Sequence, residues 1–143
     1  MFELLYTSVS PQGLDEDELI KIVMDAQRRN AELGVTGILA YCDREIMQII
    51  EGDKDVILTL FEKIKSDPRH TLVNVFYQGE VAKRSFSDWT MESLMLDKQQ
   101  ANQLFRTKLP SSSTPISDLC QESPSRGKKT FLSLRDTLYS KLL

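Results

Sequence analysis

Residues 44–52, REIMQIIEG, decide how the chain is interpreted, because they form an apolar segment with an amide in its middle. In a strand the side chains alternate between faces, so Gln48 points the same way as Ile46 and Ile50. A buried primary amide costs about 1–3 kcal/mol when its hydrogen bonds are unmet. We therefore expect Gln48 either to be satisfied by neighbours or to be kept for holding another molecule.

Around this strand, four further segments have the apolar, β-branched composition of strands, and two have helical patterns. The further strands are residues 2–9, 35–43, 71–81 and a segment between Ser85 and Leu96. The helices are residues 14–34 and 53–67. A short turn joins the strand at 35–43 to REIMQIIEG, which predicts a hairpin.

The ends of both predicted helices carry typical residues. Acidic residues 15–18 suit the positive end of the first helix, and Gly34 suits the position just after its end. Asp53 is expected to cap the second helix, and Pro68 lies just beyond it. The order β-α-β-β-α-β-β begins with the ferredoxin-like pattern, so we predict an α+β fold with two helices on one face of the sheet.

The chain divides by composition into residues 1–95 and a C-terminal extension, residues 96–143. The extension contains a Ser/Pro-rich linker and ends in an amphipathic helical pattern with Phe131, Leu134, Leu138 and Leu142. Two interpretations stay open. The C-terminal helices pack on the other face of the sheet, or they form a docking element for a partner or a second subunit.

The bulk composition argues against several classes of function. A net charge of −3 and a pI near 5.2 give no whole-chain argument for nucleic-acid binding. The sequence has neither an apolar run of 18 residues nor the features of a signal peptide, so we expect no membrane association. Cys42 and Cys120 have no metal-binding spacing, and there is one histidine, so we expect a cytoplasmic protein without a metal site.

Three polar residues interrupt predicted apolar stripes. Gln48 is one; Tyr6 shares its strand face with Phe2 and Leu4; Asn30 continues the first helix's buried stripe of Leu19, Ile22, Val23 and Ala26. Singly, each has a structural explanation: a core tyrosine, a helix end, a bridging amide. Together they are expected to converge on a pocket for a flat ring with heteroatoms at its rim. No nucleophile–base pair accompanies them, which argues against hydrolysis.

The sequence resembles the BLUF family, blue-light sensors that use flavin, over about residues 1–95. The motifs occur in the family's order and spacing: Tyr6 and Ser8 in LLYTS, Asn30 in AQRRN, VTGIL from Val35, Gln48 in MQIIEG, DPRH at residues 67–70, and Trp89 and Met91 in FSDWTM. The chain departs from the family pattern before the glutamine, where Ile46 and Met47 replace the usual aromatic residues.

The resemblance implies a non-covalently bound FAD whose ring lies between the two helices. By analogy, Asn30 binds the polar edge of the flavin, and Gln48 lies between that edge and Tyr6. Ser8 orients the network around Tyr6. The remaining cofactor-binding residues would be Ile22, Arg29, Asp67, Arg69 and His70.

The resemblance also implies a mechanism. Light excites the flavin, Tyr6 supplies an electron and then a proton, and the Gln48 amide is left rotated or tautomerised. Trp89 and Met91, expected on the fifth strand, would exchange places near Gln48 and relay the signal. The protein would not be an enzyme; it would act on a downstream signalling protein, as a homo-oligomer.

Other classes stay open. A flavin-independent ferredoxin-like module for ligand binding or oligomerisation would use the three polar residues only as satisfied core groups. An acylphosphatase needs an arginine in an anion-binding loop after the first strand, where this chain has the acidic SPQGLDED. A flavin reductase is disfavoured because the nicotinamide fingerprint is absent.

Overall fold

The computed structural model describes residues 1–69, 71–87 and 90–95. Within them the chain forms five strands and two helices in the predicted order. The elements are β1 (Phe2–Val9), α1 (Glu16–Leu33), β2 (Thr36–Cys42), β3 (Glu45–Gly52), α2 (Lys54–Ser66), β4 (Thr71–Glu80) and β5 (Glu92–Met95). The predicted C-terminal helices lie outside the described residues.

The strands form one mixed sheet in the order β4-β1-β3-β2-β5. β1 pairs antiparallel with β3 and β4, β2 pairs antiparallel with β3, and β5 runs parallel to β2 at the edge. The first four strands have the ferredoxin-like order, which confirms the predicted α+β fold. The β1–β3 register pairs Tyr6 directly with Gln48, so both side chains leave the sheet on the same face.

The hairpin between β2 and β3 turns at Asp43 and Arg44, which have φ angles of 47° and 72°. Two consecutive residues with positive φ match the tight turn that best fits the twist of a two-stranded ribbon. The predicted hairpin is therefore confirmed, and its register places Leu39 beside Gln48 on the other side of β3.

The predicted signals at the helix ends are mostly confirmed. The Asp15 carboxylate accepts a hydrogen bond from the Glu18 backbone amide at 2.7 Å, and Gly34 adopts the left-handed conformation with φ 69° at the end of α1. Asp53 occupies the capping position of α2, but its side chain makes no capping hydrogen bond.

The stripe predicted on α1 needs one correction. Leu19, Val23, Ala26 and Asn30 are buried, whereas Ile22 is only partly buried. Successive helical residues are separated by about 100°, so a stripe of five positions is wider than the contact between one helix and a sheet. Ile22 lies at the margin of that contact and faces a cavity described below.

The three inner strands are buried on both faces. The helix-side core contains Leu4, Tyr6, Ile46 and Ile50, together with Leu60 and Phe61 of α2. On the second face Leu5, Ile38 and Ile49 are each 0% exposed. Both faces of these three strands are therefore part of the folded interior.

The sequence predicted that Met91 lies on the fifth strand, and this was wrong. β5 begins one residue later, at Glu92. The physical reason is that the Met91 carbonyl accepts a hydrogen bond from the Gln27 side chain of α1, at 2.8 Å. Trp89 and His70 lie outside the described residues.

Candidate functional site

A chain of hydrogen bonds runs through the helix-side core, from β1 across β3 to the segment before β5. The Tyr6 hydroxyl donates to Gln48 Oε1, and Gln48 Nε2 donates to Met91 Sδ at 3.2 Å. The exposed fractions of Tyr6, Gln48 and Met91 are 1%, 4% and 0%. Both ends of the amide are thus engaged, one by a phenol and the other by a weak sulfur acceptor.

The side chains around the Tyr6–Gln48–Met91 hydrogen bonds are mostly apolar. The Tyr6 ring packs against Phe61 of α2 with the ring centroids 5.4 Å apart and a tilt of 52°. Ser8, predicted to orient the network, is buried two residues along β1 on the same face as Tyr6.

Burial has a strong effect on the Tyr6 phenol. Removal from water raises the pKa of Tyr6 far above its ordinary value of 10.0. The Arg29 charge opposes this shift and the Asp67 charge adds to it. The phenol is therefore neutral at physiological pH and holds a proton that it can give up only to a closely placed acceptor.

Asn30 lies near the C-terminal end of α1, and one end of its amide is occupied. Its Nδ2 donates to the Thr90 carbonyl at 2.9 Å, next to the Gln27–Met91 bond. Its Oδ1 is buried and has no hydrogen-bond partner among the described residues. The Asn30 side chain thus helps to hold the segment before β5 and has one free acceptor.

Arg29, the neighbour of Asn30, has a complementary feature. Its Nε is buried without a partner in the described part of the chain, and burial lowers the pKa of the guanidinium. A buried donor and a buried acceptor on adjacent residues are costly unless another molecule pairs with them. The polar edge of a flavin ring carries both carbonyl acceptors and an N–H donor, so these two groups fit it.

The turn after α2 carries two of the predicted residues. The Arg69 guanidinium binds the Asp67 carboxylate, with Nη2 to Oδ2 at 2.5 Å and Nε to Oδ1 at 3.0 Å. These hydrogen bonds raise the pKa of Arg69. The ion pair is partly exposed, so its main effect is to fix the shape of this turn.

A cavity of about 460 Å³ opens between the N-terminal half of α1, the loop before it and the turn after α2. Its walls include Leu14, Lys21, Ile22 and Arg69. Ile22 lies eight residues before Asn30, about 12 Å along the helix axis. The predicted cofactor-binding residues of α1 therefore extend from this cavity to the free Asn30 acceptor.

The structure links four of the predicted residues by hydrogen bonds and adds two further ones. Tyr6, Gln48 and Met91 are in direct contact, whereas Asn30 reaches them through the Thr90–Met91 segment. Sequence reasoning missed Gln27 and Thr90. Gln27 lies one turn before Asn30 on α1, so its position was a usable signal; Thr90 contributes only a backbone carbonyl, which no sequence pattern reveals.

Comparison with solved structures gives the class of protein, which is that of small light-responsive flavin domains. The structure resembles the dark state of the BLUF protein BlrB with a TM-score of 0.72 and 25% identity, covering 92% of this chain and 95% of that one. It also resembles the photo-activated state of BlsA, with a TM-score of 0.66 and 27% identity over 73% and 75% of the two chains. Residues 1–92 match the BLUF family, described as sensors of blue-light using FAD, and the chain belongs to this family.

Relatives by sequence include the photoactivated adenylate cyclase subunit beta of Euglena longa, 36% identical over 91 residues. That alignment covers 63% of this chain and 11% of the relative, so the chain spans about a tenth of the length of the curated relatives it matches. The protein is thus a blue-light sensor domain that uses flavin. The matched relative is by name a subunit of a photoactivated adenylate cyclase, and this chain corresponds only to its BLUF segment.

In the described part of the chain, no helix is long and apolar enough to cross a membrane. The same residues contain no group of three or more His, Cys, Asp or Glu side chains that could hold a metal ion.

Proposed function

We propose that the chain binds FAD non-covalently between α1 and α2, and that Tyr6 and Gln48 form a light-driven hydrogen-bond switch. The Tyr6–Gln48–Met91 chain carries this proposal, because it joins a phenol, a buried amide and the segment before β5 in a core away from water. The amide has a donor end and an acceptor end of nearly the same shape. Exchanging them reverses the polarity of both hydrogen bonds at little steric cost.

The proposed cofactor contacts follow from the unmet buried groups. Asn30 Oδ1 accepts from, and Arg29 Nε donates to, the polar edge of the ring. Ile22 and Arg69 lie at the cavity through which the remainder of the cofactor leaves the core. Ser8, Asp67 and His70 complete the proposed set. The family description favours FAD over FMN, and the mass of the flavin extracted from purified protein distinguishes them.

When bound, the flavin absorbs blue light and becomes an electron acceptor. Tyr6 would then supply one electron to the excited ring and its phenolic proton to Gln48 Oε1, the acceptor already in contact. Return of the electron and the proton to Tyr6 would leave no net oxidation. The Gln48 amide would be left rotated or tautomerised.

The amide change would reach the Thr90–Met91 segment at once. In the rotated amide, Oε1 instead of Nε2 faces Met91 Sδ, so the N–H···S hydrogen bond of 3.2 Å is lost. Met91 and Trp89 would then shift relative to each other and carry the change to β5. The sheet and the C-terminal extension would pass it on.

The proposed output is protein–protein interaction. The domain, residues 1–95, would sense light, and residues 96–143 would couple it to a downstream signalling protein within a homo-oligomer. We propose a cytoplasmic location, since two cysteines without a pairing pattern suit a reducing compartment. Neither nucleic acid nor membrane is a proposed partner.

The flavin-independent module remains the second candidate. The satisfied Tyr6–Gln48 pair would fit it equally well. The buried groups on Asn30 and Arg29 disfavour it, because neither has a partner among the described residues and the polar edge of a bound ring would satisfy both.

Tyr6→Phe tests the proposed electron and proton donor. The variant lacks the hydroxyl but keeps the ring that packs on Phe61, so flavin should stay bound and the reversible light-induced red shift should disappear. Absorption spectra before and after a blue flash give the answer. Tyr77→Phe, on the partly exposed β4, is the matched control and should retain the shift. A normal shift in Tyr6→Phe would exclude Tyr6 as donor.

A further inference from the structure

Glu51 is a fully buried carboxylate on β3, three residues after Gln48 and on the opposite face of the sheet. Its exposed fraction is 0%. An ionisable group in such a place is costly unless several hydrogen bonds satisfy it. Its partners therefore indicate what the carboxylate is kept for.

Both carboxylate oxygens accept hydrogen bonds from the segment that connects β4 to β5. Oε1 accepts from the Phe86 backbone amide at 2.6 Å, and Oε2 accepts from the Ser85 backbone amide at 2.9 Å. Oε1 also accepts from Thr36 Oγ1 at 2.9 Å, across the β2–β3 register. Glu51 thus binds the backbone of residues 85 and 86, which form neither helix nor strand.

Arg84 adds a second set of bonds to the same place. Its guanidinium donates to the Gly34 carbonyl at 2.6 Å, to Thr36 Oγ1 at 2.9 Å and to the Glu51 carbonyl at 3.3 Å. The side chains of Thr36, Glu51 and Arg84 with the amides of Ser85 and Phe86 are here called the Glu51 anchor. The anchor fixes residues 84–86 against the ends of β2 and β3.

The same segment leads along the chain to Met91, whose sulfur contacts Gln48. Five residues after Phe86, the chain reaches Met91, and five extended residues span about 17 Å at most. At that end the carbonyls of Thr90 and Met91 are held by Asn30 and Gln27 at 2.9 and 2.8 Å. The described residues of this segment before and after positions 88–89 are thus both held by hydrogen bonds, Ser85 and Phe86 on one side and Thr90 and Met91 on the other.

We propose that Glu51 is a positioning residue, whose buried carboxylate holds the β4–β5 segment in the register that places the Met91 sulfur on the Gln48 amide. The inference rests on the proposed role of Gln48 as the switch. Loosening the anchor should let Met91 leave the amide more easily. The barrier to return of the amide in the dark should therefore fall.

Glu51→Gln is the sharpest variant, because it keeps the shape but turns one acceptor into a donor that faces a backbone N–H. We expect flavin binding and the red shift to be retained. Dark recovery should become faster by roughly three- to tenfold, the effect of about one hydrogen bond. Glu80→Gln makes the same change of a carboxylate to an amide at an exposed position on β4. It is the control and should recover in the dark like the wild type.

A double-mutant cycle separates positioning from general destabilisation. If Glu51 acts through Met91, the acceleration by Glu51→Gln should vanish in a Met91→Leu background. Equal acceleration in both backgrounds, or wild-type recovery in flavin-bound Glu51→Gln, would overturn the inference. If Glu51→Gln does not fold, Arg84→Gln at a partly exposed position serves instead, with the same expected and opposing results.

The results distinguish a failure of the proposed switch function from a failure of the positioning role of Glu51. If the wild-type shift does not depend on Gln48, the switch itself is wrong. If it depends on Gln48 while the Glu51 and Arg84 variants recover normally, only the positioning role is wrong.

Discussion

At the scale of single residues, the site depends on where water is excluded. Tyr6, Gln48 and Met91 form a hydrogen-bonded series in a core made mainly of aliphatic and aromatic side chains. In such surroundings each hydrogen bond is stronger than in water, and each unmet group is more costly. A change in the direction of one amide therefore has a larger effect on its neighbours than the same change at the surface.

The raised pKa of Tyr6 gives a prediction for alkaline stability. Because folding raises this pKa above the ordinary value of 10.0, the folded protein keeps a proton that the unfolded chain loses. The Tyr6 contribution is complete below pH 10 and declines above it, by about 1.4 kcal/mol per pH unit. The free energy of unfolding should therefore fall more steeply with pH in the wild type than in Tyr6→Phe.

Denaturant titrations of both proteins between pH 9 and 11, roughly bracketing the free phenol pKa, measure this difference. Parallel stability curves for the wild type and Tyr6→Phe across that range would contradict the account of a buried neutral phenol.

At the scale of elements, the strand pairings position the site. The β1–β3 register places Tyr6 against Gln48, and the β2–β3 hairpin fixes β3 from its other side. Gly37 on β2 faces the backbone of β3 closely. A Cβ at this position would stand 2.1 Å from the Ile49 carbonyl oxygen, which is backbone and unable to move aside alone.

Gly37→Ala should therefore destabilise the protein by about 3 kcal/mol or more, since the clash can be relieved only by separating β2 from β3. Thermal unfolding followed by circular dichroism measures the loss. Gly79→Ala on β4 is the matched control, because its Cβ would meet the Tyr77 hydroxyl at 3.4 Å. We expect it to change stability by less than about 0.5 kcal/mol. Similar stability of the two variants would show that the pairing at Gly37 is looser than described.

The elements are also where sequence reasoning succeeded best. Helical periodicity, Gly34 and the alternating strands predicted the order of elements and the ferredoxin-like sheet, because these signals are local. The contact between Tyr6 and Gln48 was predicted in outline from the family resemblance. The position of Met91 before β5 was not predicted, nor were the hydrogen bonds of Gln27 and Glu51. The partners in those bonds are backbone carbonyls and amides, which every residue type carries.

At the scale of the whole molecule, the proposed signal has to travel from the helix face of the sheet to its other side. The β4–β5 segment touches both: Met91 lies in the helix-side core, and Ser85 and Phe86 bind Glu51 on the second face. The second face is buried at Leu5, Ile38 and Ile49. A shift of this segment would therefore change the second face of the sheet, where one interpretation places the C-terminal helices.

Deleting residues 106–143 tests this division of labour. The shortened chain should keep its flavin and its reversible red shift, because the described site lies within residues 1–95. Light-dependent association, measured by light scattering of dark and illuminated samples on a size-exclusion column, should be lost. Loss of flavin from the shortened chain would contradict the proposed division.

The central claim is that the Gln48 amide is the switch, and Gln48→Leu tests it most directly. The measurement is the light-minus-dark absorption spectrum of the variant at full flavin occupancy, beside the wild type and the exposed control Gln78→Leu. We predict a small red shift that reverses in the dark for the wild type and the control, and none for Gln48→Leu. A reversible shift of wild-type size in Gln48→Leu would contradict the claim.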